Sequence, residues 1–262
     1  MKLDLTGRCA LVGGGTSGIG WAIARQFAGA GARVVIVARS EERLRSRLVE
    51  LTQLSDSQHE ALCADYDTPD SIESFIERLH TKGLIPDIIV NNAGGPQPGP
   101  IIEAAKEEFH RALDRLLLAS HLLVRYALPQ MRSRRWGRIL NVISTSVRQP
   151  IEGLGVSNTI RAATAAWAKT LATEVAPHGI TVNSILPGAT RTERLHELIS
   201  LRAAVRGVQP SVIEEEMLRE IPLGRFAEPD EVAALALFLC SDVAGYITGE
   251  CIRIDGGRTR CL

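Results

Sequence analysis

Three glycines, Gly14, Gly18 and Gly20, stand at G-x-x-x-G-x-G spacing within Gly13-Gly14-Gly15-Thr16-Ser17-Gly18-Ile19-Gly20. An apolar, β-branched stretch precedes this run. Trp21-Ala22-Ile23-Ala24-Arg25-Gln26-Phe27-Ala28 follows it, with apolar residues three and four apart, the period of a helix. Strand, glycine turn and helix in that order suit the binding of a pyrophosphate. Such a group needs backbone N–H donors at close range and a helix N-terminus aimed at it, and glycine permits both the turn and the approach. Thr16, Ser17 and Ile19, in the same turn, are expected to line the same site. Farther on, Ile36-Val37-Ala38-Arg39-Ser40 closes a second apolar stretch. An acid at position 38 would hydrogen-bond the ribose hydroxyls of NAD and repel a 2′-phosphate, whereas Ala38 removes the repulsion and Arg39 offers a guanidinium. NADP(H) is therefore expected over NAD(H).

The elements that must position these groups are legible as short apolar runs at 8–12, 33–37, 87–90, 138–143, 181–185 and 251–254, with a further strand expected to end at Asp65. Stretches of helical period lie between them. Runs with little polar alternation belong to strands covered on both faces, the pattern of a parallel sheet wound with crossover helices. The expected fold is α/β, a single-domain doubly wound Rossmann fold over residues 1–262, with a parallel sheet of about seven strands. The least regular stretch, 191–225, follows Pro187-Gly188 and carries charged helical turns as far as Ile221-Pro222-Leu223-Gly224. It is a candidate lid over a substrate.

Thirty basic and thirty acidic residues leave a formal net charge of zero, so no global field draws the chain to nucleic acid or to an anionic membrane. A small molecule is the expected partner. The five cysteines are odd in number and lack Cys-x-x-Cys spacing, which fits reduced thiols and implies neither a disulfide framework nor a metal site. Met1-Lys2-Leu3-Asp4-Leu5 carries an acid where a signal peptide needs an apolar core. No run approaches the roughly 18–20 apolar residues of a membrane span, so a cytoplasmic location is expected.

Further motifs follow the glycine turn in order: Asn91-Asn92-Ala93-Gly94, the strand end Asn141-Val142-Ile143-Ser144, Val182-Asn183-Ser184-Ile185-Leu186-Pro187-Gly188, Thr248-Gly249-Glu250 and Ile254-Asp255-Gly256-Gly257. Together they span nearly the whole chain, which resembles the short-chain dehydrogenase/reductase family and looks most like its 3-oxoacyl carrier-protein reductase-like branch. The resemblance implies that Asn92, Ala93 and Gly94 pass close to the cofactor's ribose. It also implies that Asp65 meets the adenine amino group with Tyr66 as a stacking face, that Pro187 and Gly188 lie under the nicotinamide, and that Thr192 meets its carboxamide. Position 13 departs from the family, which usually has Thr there to brace the turn. A looser turn is expected.

The resemblance also names a reaction and exposes a gap. In the family a Tyr protonates the carbonyl oxygen as hydride arrives, and a Lys one helical turn later lowers that phenol's pKa and holds the nicotinamide ribose. A Ser orients the substrate, and an Asn on an earlier helix positions a relay water. Here the Tyr and Lys positions are Ser157 and Arg161, on one helical face at spacing i, i+4. The register is set independently by Leu171-Ala172-Thr173-Glu174-Val175-Ala176-Pro177-His178-Gly179. Aligning Phe109, Asp114 and Ala127-Leu128-Pro129-Gln130-Met131 with the family's helix puts Leu116 at the Asn position. Only the serine is kept: Ser144 stands thirteen residues before position 157, with Thr145 beside it as a second hydroxyl.

A serine hydroxyl falls on the order of 4 Å short of a tyrosine's reach, and proton transfer wants heavy atoms within roughly 2.6–3.2 Å or one water between them. Arg161 cannot donate a proton at a useful pKa, but it can hold the ribose or face an anion or a developing oxyanion. Tyr66, Tyr126 and Tyr246 are placed away from the reacting end. Arg148 and His196 are expected, with Arg161, to meet an anionic substrate or a carrier-protein thioester arm. Three readings follow. The first is an NADP(H)-dependent oxidoreductase with a non-standard proton donor, built on Ser144, Ser157 and Arg161. The second is a catalytically inactive NADP(H)-binding regulator, and the third a structural subunit of a mixed oligomer. By resemblance the chain forms a homo-oligomer, a tetramer or dimer, through helices near 109–132 and 157–175.

Overall fold

The computed structural model describes residues 3–261. Its apolar runs form β1 (Cys9–Gly13), β2 (Arg33–Ala38), β3 (Glu60–Cys63), β4 (Ile88–Asn91), β5 (Gly137–Val142), β6 (Ile180–Pro187) and β7 (Cys251–Ile254). They make one parallel sheet in the order β3-β2-β1-β4-β5-β6-β7. The crossovers are α1 (Gly18–Gly29), α2 (Glu41–Thr52), α3 (Pro69–Thr81), α4 (Lys106–Leu113), α5 (Ala119–Arg134), α6 (Gly155–Val175), α7 (Glu193–Arg206), α8 (Pro210–Arg219) and α9 (Pro229–Cys240). Alternate strand residues point to opposite faces. Ala10, Val12, Ile88, Val90 and Ile185 pack under α1 and α9, while Leu11, Ile89, Ile139 and Val182 pack under α3, α5 and α6. The chain is a single-domain α/β Rossmann fold, as its patterning indicates.

The chain runs outward from β1 to β3, then crosses back to place β4 on the other side of β1. Loops leaving the carboxyl ends of β1 and β4 therefore diverge, and the crevice between them is where a doubly wound sheet takes its ligand. Strand ends shift slightly from the sequence reading. β3 stops two residues before Asp65, because Asp65 already starts a turn, its Oδ1 accepting the N–H of Asp67 at 3.1 Å. The helical stretch around 109–132 is interrupted by a wide π turn at Asp114–Leu118 between α4 and α5. Such turns are inserted in helices mostly at functional sites.

The stretch 191–225 is not irregular. It contains α7 and α8, whose Leu195, Ile199, Ala203, Ile213 and Met217 form an apolar cluster with Ile221 and Phe226. Its many charges lie outward in ion pairs, Arg206 with Glu216 and Arg219 with Glu215, which is why they masked the helical period in the sequence. The five cysteines are free thiols, and burial pushes Cys240 up to about 12 and Cys9 up to about 11. No described helix is long and apolar enough to cross a membrane.

Candidate active site

The glycine turn is built from close backbone contact. Gly14 and Gly18 have φ of 57° and 50°, in the left-handed region that side chains resist. Gly20 lies so close to the turn that an added Cβ would stand 2.2 Å from the Gly14 carbonyl oxygen. Asn92 Nδ2 donates to the Gly13 carbonyl at 3.0 Å, and Arg47 Nε donates to the Thr16 carbonyl at 3.1 Å while its guanidinium covers the Trp21 ring. The expected looseness at Gly13 is therefore not observed. A Cβ at position 13 would meet the Asn92 carbonyl at 2.7 Å, so glycine lets the β4 loop close onto the turn and supply the brace from Asn92.

One cleft of about 710 Å³ runs from this turn along the carboxyl ends of the strands. Gly14, Thr16, Ser17, Gly18, Ile19 and Gly20 line one wall, Arg39, Asp65 and Tyr66 line one end, and Asn92, Ala93 and Gly94 line the floor near β4. Pro187, Gly188 and Thr192 line the side toward α7, and Ser144, Ser157 and Arg161 line the other end. Residues scattered over 179 positions of sequence thus share one surface, because the parallel strands all end on the same side of the sheet. Arg39 is largely exposed, 4.0 Å from Asp67. The Tyr66 hydroxyl is buried and has no hydrogen-bond partner among the described residues, and burial pushes its pKa up. Thr192 caps α7: its Oγ1 accepts from Leu195 N at 3.3 Å and donates to the Thr190 carbonyl at 3.2 Å, so the hydroxyl is already engaged. Its methyl group lies against Gly18.

At the far end α6 presents Ser157 and Arg161 together. Arg161 Nε donates to Ser157 Oγ at 3.1 Å, and Nη1 donates to the Ile143 carbonyl at 2.8 Å and to the Val142 carbonyl at 3.4 Å. The guanidinium therefore ties α6 to the end of β5 that carries Ser144. Arg161 has no carboxylate partner among the described residues, and burial, with the Arg194 guanidinium adding to it, holds its pKa down at about 10. Ser157 is buried, and its hydroxyl proton has no acceptor among the described residues. Ser144 Oγ accepts from Ser146 N at 3.1 Å at the start of a short 3₁₀ turn. Leu116, in the π turn, packs with Ala112, Val156 and Ile160 in an apolar cluster. No other tyrosine approaches: Tyr126 donates to the Leu84 carbonyl and Tyr246 is fully exposed.

Several contributors had little signal in the sequence. Asn91 Nδ2 donates to Asn141 Oδ1 at 2.8 Å, Asn141 Nδ2 reaches the Asn183 carbonyl at 3.4 Å, and Asn183 Oδ1 accepts from Glu250 N at 3.1 Å. This ladder ties the ends of β4 and β5 to the middle of β6 and on to the residue before β7. Arg43, Arg115, Asp67, Arg194 and Arg202 also line the cleft. Arg115 forks onto Asp67 and donates to the Gly94 carbonyl at 3.2 Å. The expectation for Arg148 and His196 fails: both are exposed and outside the cleft, because Arg148 follows the 3₁₀ turn outward and His196 lies on the outer side of α7. Arg194, two residues before His196, takes the inward position. Past Thr145, Ile151, Leu198, Arg202 and Met217 the cleft opens into a second chamber of about 740 Å³ between α7, α8 and the loop after β5.

The sequence matches the family profile described as Enoyl-(Acyl carrier protein) reductase over residues 14–259. It is 33% identical over 257 residues to the 3-oxoacyl-(acyl-carrier-protein) reductase FabG of Aquifex aeolicus (strain VF5), covering 98% of this chain and 99% of the relative. The chain belongs to the short-chain dehydrogenase/reductase family. Among solved members of the short-chain dehydrogenases, L-sorbose reductase from Gluconobacter frateurii, complexed with NADPH and L-sorbose, superposes with a TM-score of 0.93 at 33% identity over the whole of both chains. A short chain oxidoreductase of Pseudomonas aeruginosa PAO1, solved with NADPH bound and described as containing an atypical catalytic center, gives a TM-score of 0.87 at 31% identity over 99% of each chain.

Proposed function

We propose that this short-chain dehydrogenase/reductase binds NADP(H) and transfers hydride between it and a carbonyl or alcohol substrate, with a non-standard proton donor. The observation that carries this reading is the continuity of one cleft from the glycine turn to Ser144, Ser157 and Arg161. The cradle fits a dinucleotide: Gly14 and Gly20 pack the turn, the start of α1 and Asn92 together with no room for a Cβ between them, which brings the N-terminus of α1 to the wall of the cleft. Gly18, Asn92, Ala93 and Gly94 would hold the central part, with Asp65 and Tyr66 at the adenine and Pro187, Gly188 and Thr192 at the nicotinamide. A bound nicotinamide supplies or accepts the hydride. Ser144 orients the carbonyl oxygen, and Ser157, whose hydroxyl proton is free to hydrogen-bond, holds with Ser144 the water that protonates that oxygen, the hydroxide left behind regaining a proton from solvent. Arg161 steadies negative charge on that oxygen. The substrate is an anionic or acyl-thioester compound in this reading, and 191–225 acts as its lid. Assembly into a homodimer or homotetramer through α5 and α6 belongs to the same proposal.

Arg39 and Arg43 supply the preference for NADP(H), since both line the cleft beside Ala38, where no acid repels a 2′-phosphate. Arg39→Ala raises KM for NADPH about tenfold, the scale of one charge-assisted hydrogen bond at an exposed site, and leaves KM for NADH unchanged. Steady-state kinetics with both cofactors check this. A second reading, an inactive NADP(H)-binding regulator or structural subunit, is favoured by the apolar packing of Leu116 where a relay water would sit. NADPH consumption against a panel of aldehydes, ketones and oxo acids separates the two. Turnover that Ser144→Ala abolishes is expected, whereas NADPH binding with no turnover of any compound would end the oxidoreductase reading. The Pseudomonas aeruginosa relative, with NADPH bound beside an atypical centre, supports the first.

A further inference from the structure

We propose that Arg161 and Arg194 together seat a carboxylate of the substrate, so that the compound processed here is a short oxo acid or the matching hydroxy acid. The identity of the reaction rests on the oxidoreductase reading above; the anion seat rests on the two guanidinium groups alone. Arg161 spends Nε on Ser157 and Nη1 on the carbonyls of Val142 and Ile143. Its Nη2 has no acceptor among the described residues and lies against Gly95, where an added Cβ would stand 3.3 Å from it. From the start of α7 Arg194 donates through Nη2 to the Pro96 carbonyl at 2.8 Å. Gly95 and Pro96 are consecutive, so the two guanidinium groups meet the same short segment of the loop after β4.

Two like charges held in one partly desolvated cleft repel, and a buried cation without a counterion is strongly unfavourable. Arg194 has Glu197 at 3.4 Å, but Arg161 has no carboxylate among the described residues. An anion arriving with the substrate supplies what the chain withholds. The nucleotide's phosphates do not meet this need in the proposed binding mode, because they belong to the glycine turn at the other end of the cleft. Spacing sets the class. Arg161 holds Ser157 Oγ through Nε at 3.1 Å and leaves Nη2 of the same guanidinium for the anion, so the anion sits close to the carbonyl that Ser157 serves through one water. A carboxylate attached directly to the carbon chain satisfies this more simply than a phosphate, which adds an ester oxygen.

The test has a binding arm and a kinetic arm. Oxamate, an unreactive carboxylate, is titrated by calorimetry into the NADPH-loaded protein beside its uncharged methyl ester. Oxamate alone should bind, and Arg194→Gln should weaken it about tenfold, the loss of one charge-assisted contact. In the kinetic arm pyruvate and acetoacetate are compared with their methyl esters. The acids should exceed the esters in kcat/KM by roughly a hundredfold, two such contacts, with the gap narrowing to about tenfold in Arg194→Gln through KM. Arg148→Gln, an exposed charge outside the cleft, should leave both arms unaltered, and thermal unfolding checks that each variant is folded. Esters turned over as well as acids, or inorganic phosphate bound more tightly than oxamate, would overturn the proposal while leaving the oxidoreductase reading standing. Oxamate bound in an Arg194-dependent manner by a protein that turns over nothing would uphold the seat and remove the reaction.

Discussion

Replacing Arg161 by methionine should lower kcat/KM by about two to three orders of magnitude while leaving the midpoint of thermal unfolding unchanged or raised. The two effects separate because the guanidinium is a poor contributor to folding. Its pKa is held at about 10 by burial and by Arg194, so at every pH below that value the folded state carries a charge that the unfolded state solvates better. As pH rises from about 10 toward the ordinary arginine value the penalty is lifted, since the unfolded chain then holds the proton the folded chain has lost. Methionine keeps most of the aliphatic stem and removes the desolvated charge. What it cannot keep is the three-way fixation of Ser157 Oγ and the carbonyls of Val142 and Ile143. Those carbonyls flank the peptide leading into Ser144, so the loss reaches both serines as well as any charge on the substrate oxygen. Lysine should restore only part of the rate, because a single ammonium cannot reproduce the planar fork that spans these acceptors. Steady-state kinetics and a thermal melt on Arg161→Met and Arg161→Lys check both halves. A large drop in melting temperature matching the loss of activity would show a structural strut instead.

Gly20→Ala should abolish NADPH binding within the measurable range. The added methyl would stand 2.2 Å from the Gly14 carbonyl oxygen and 2.7 Å from both the Gly14 carbonyl carbon and Asn92 Nδ2. Two of those atoms are backbone in a turn that already uses left-handed conformations at Gly14 and Gly18, so neither has a rotamer to give. Relief requires α1 to move off the turn, which breaks the approach a pyrophosphate needs and overpacks the crevice at a cost of about 1–3 kcal/mol. For a chain of this size each kcal/mol lowers the melting midpoint by roughly 2–4 °C. Gly29→Ala, at the other end of the same helix, meets nothing within 4 Å and serves as the control. It should bind NADPH normally, with the melt unchanged. Fluorescence titration of both variants with NADPH decides the point; equal affinities would mean that the turn is not a phosphate cradle.

The glycine turn, the apolar runs and the Ser157/Arg161 pair are local patterns, and the sequence by itself determined them. Glycine spacing encodes a backbone that only glycine can follow, uninterrupted Val and Ile encode strands covered on both faces, and i, i+4 encodes a shared helical face. The fold class and the side of the sheet on which the ligand crevice opens follow from those alone. What the pair does with its donors was not legible. Arg161 reaches carbonyls 18 and 19 residues away, and those acceptors exist only because β5 ends beneath α6. Arg194 faces Pro96 from 98 residues downstream, whereas Arg148, close to Ser144 in sequence, points outward. Asn91, Asn141 and Asn183 look like ordinary strand polar residues until adjacent strands bring them into one ladder. Long charged side chains have several rotatable bonds, and their targets are set by packing between elements far apart in the chain. Composition and spacing therefore announce a ligand cleft, and only the assembled sheet and the segment 191–225 decide which cations face into it and that Arg161 does so without a carboxylate partner among the described residues.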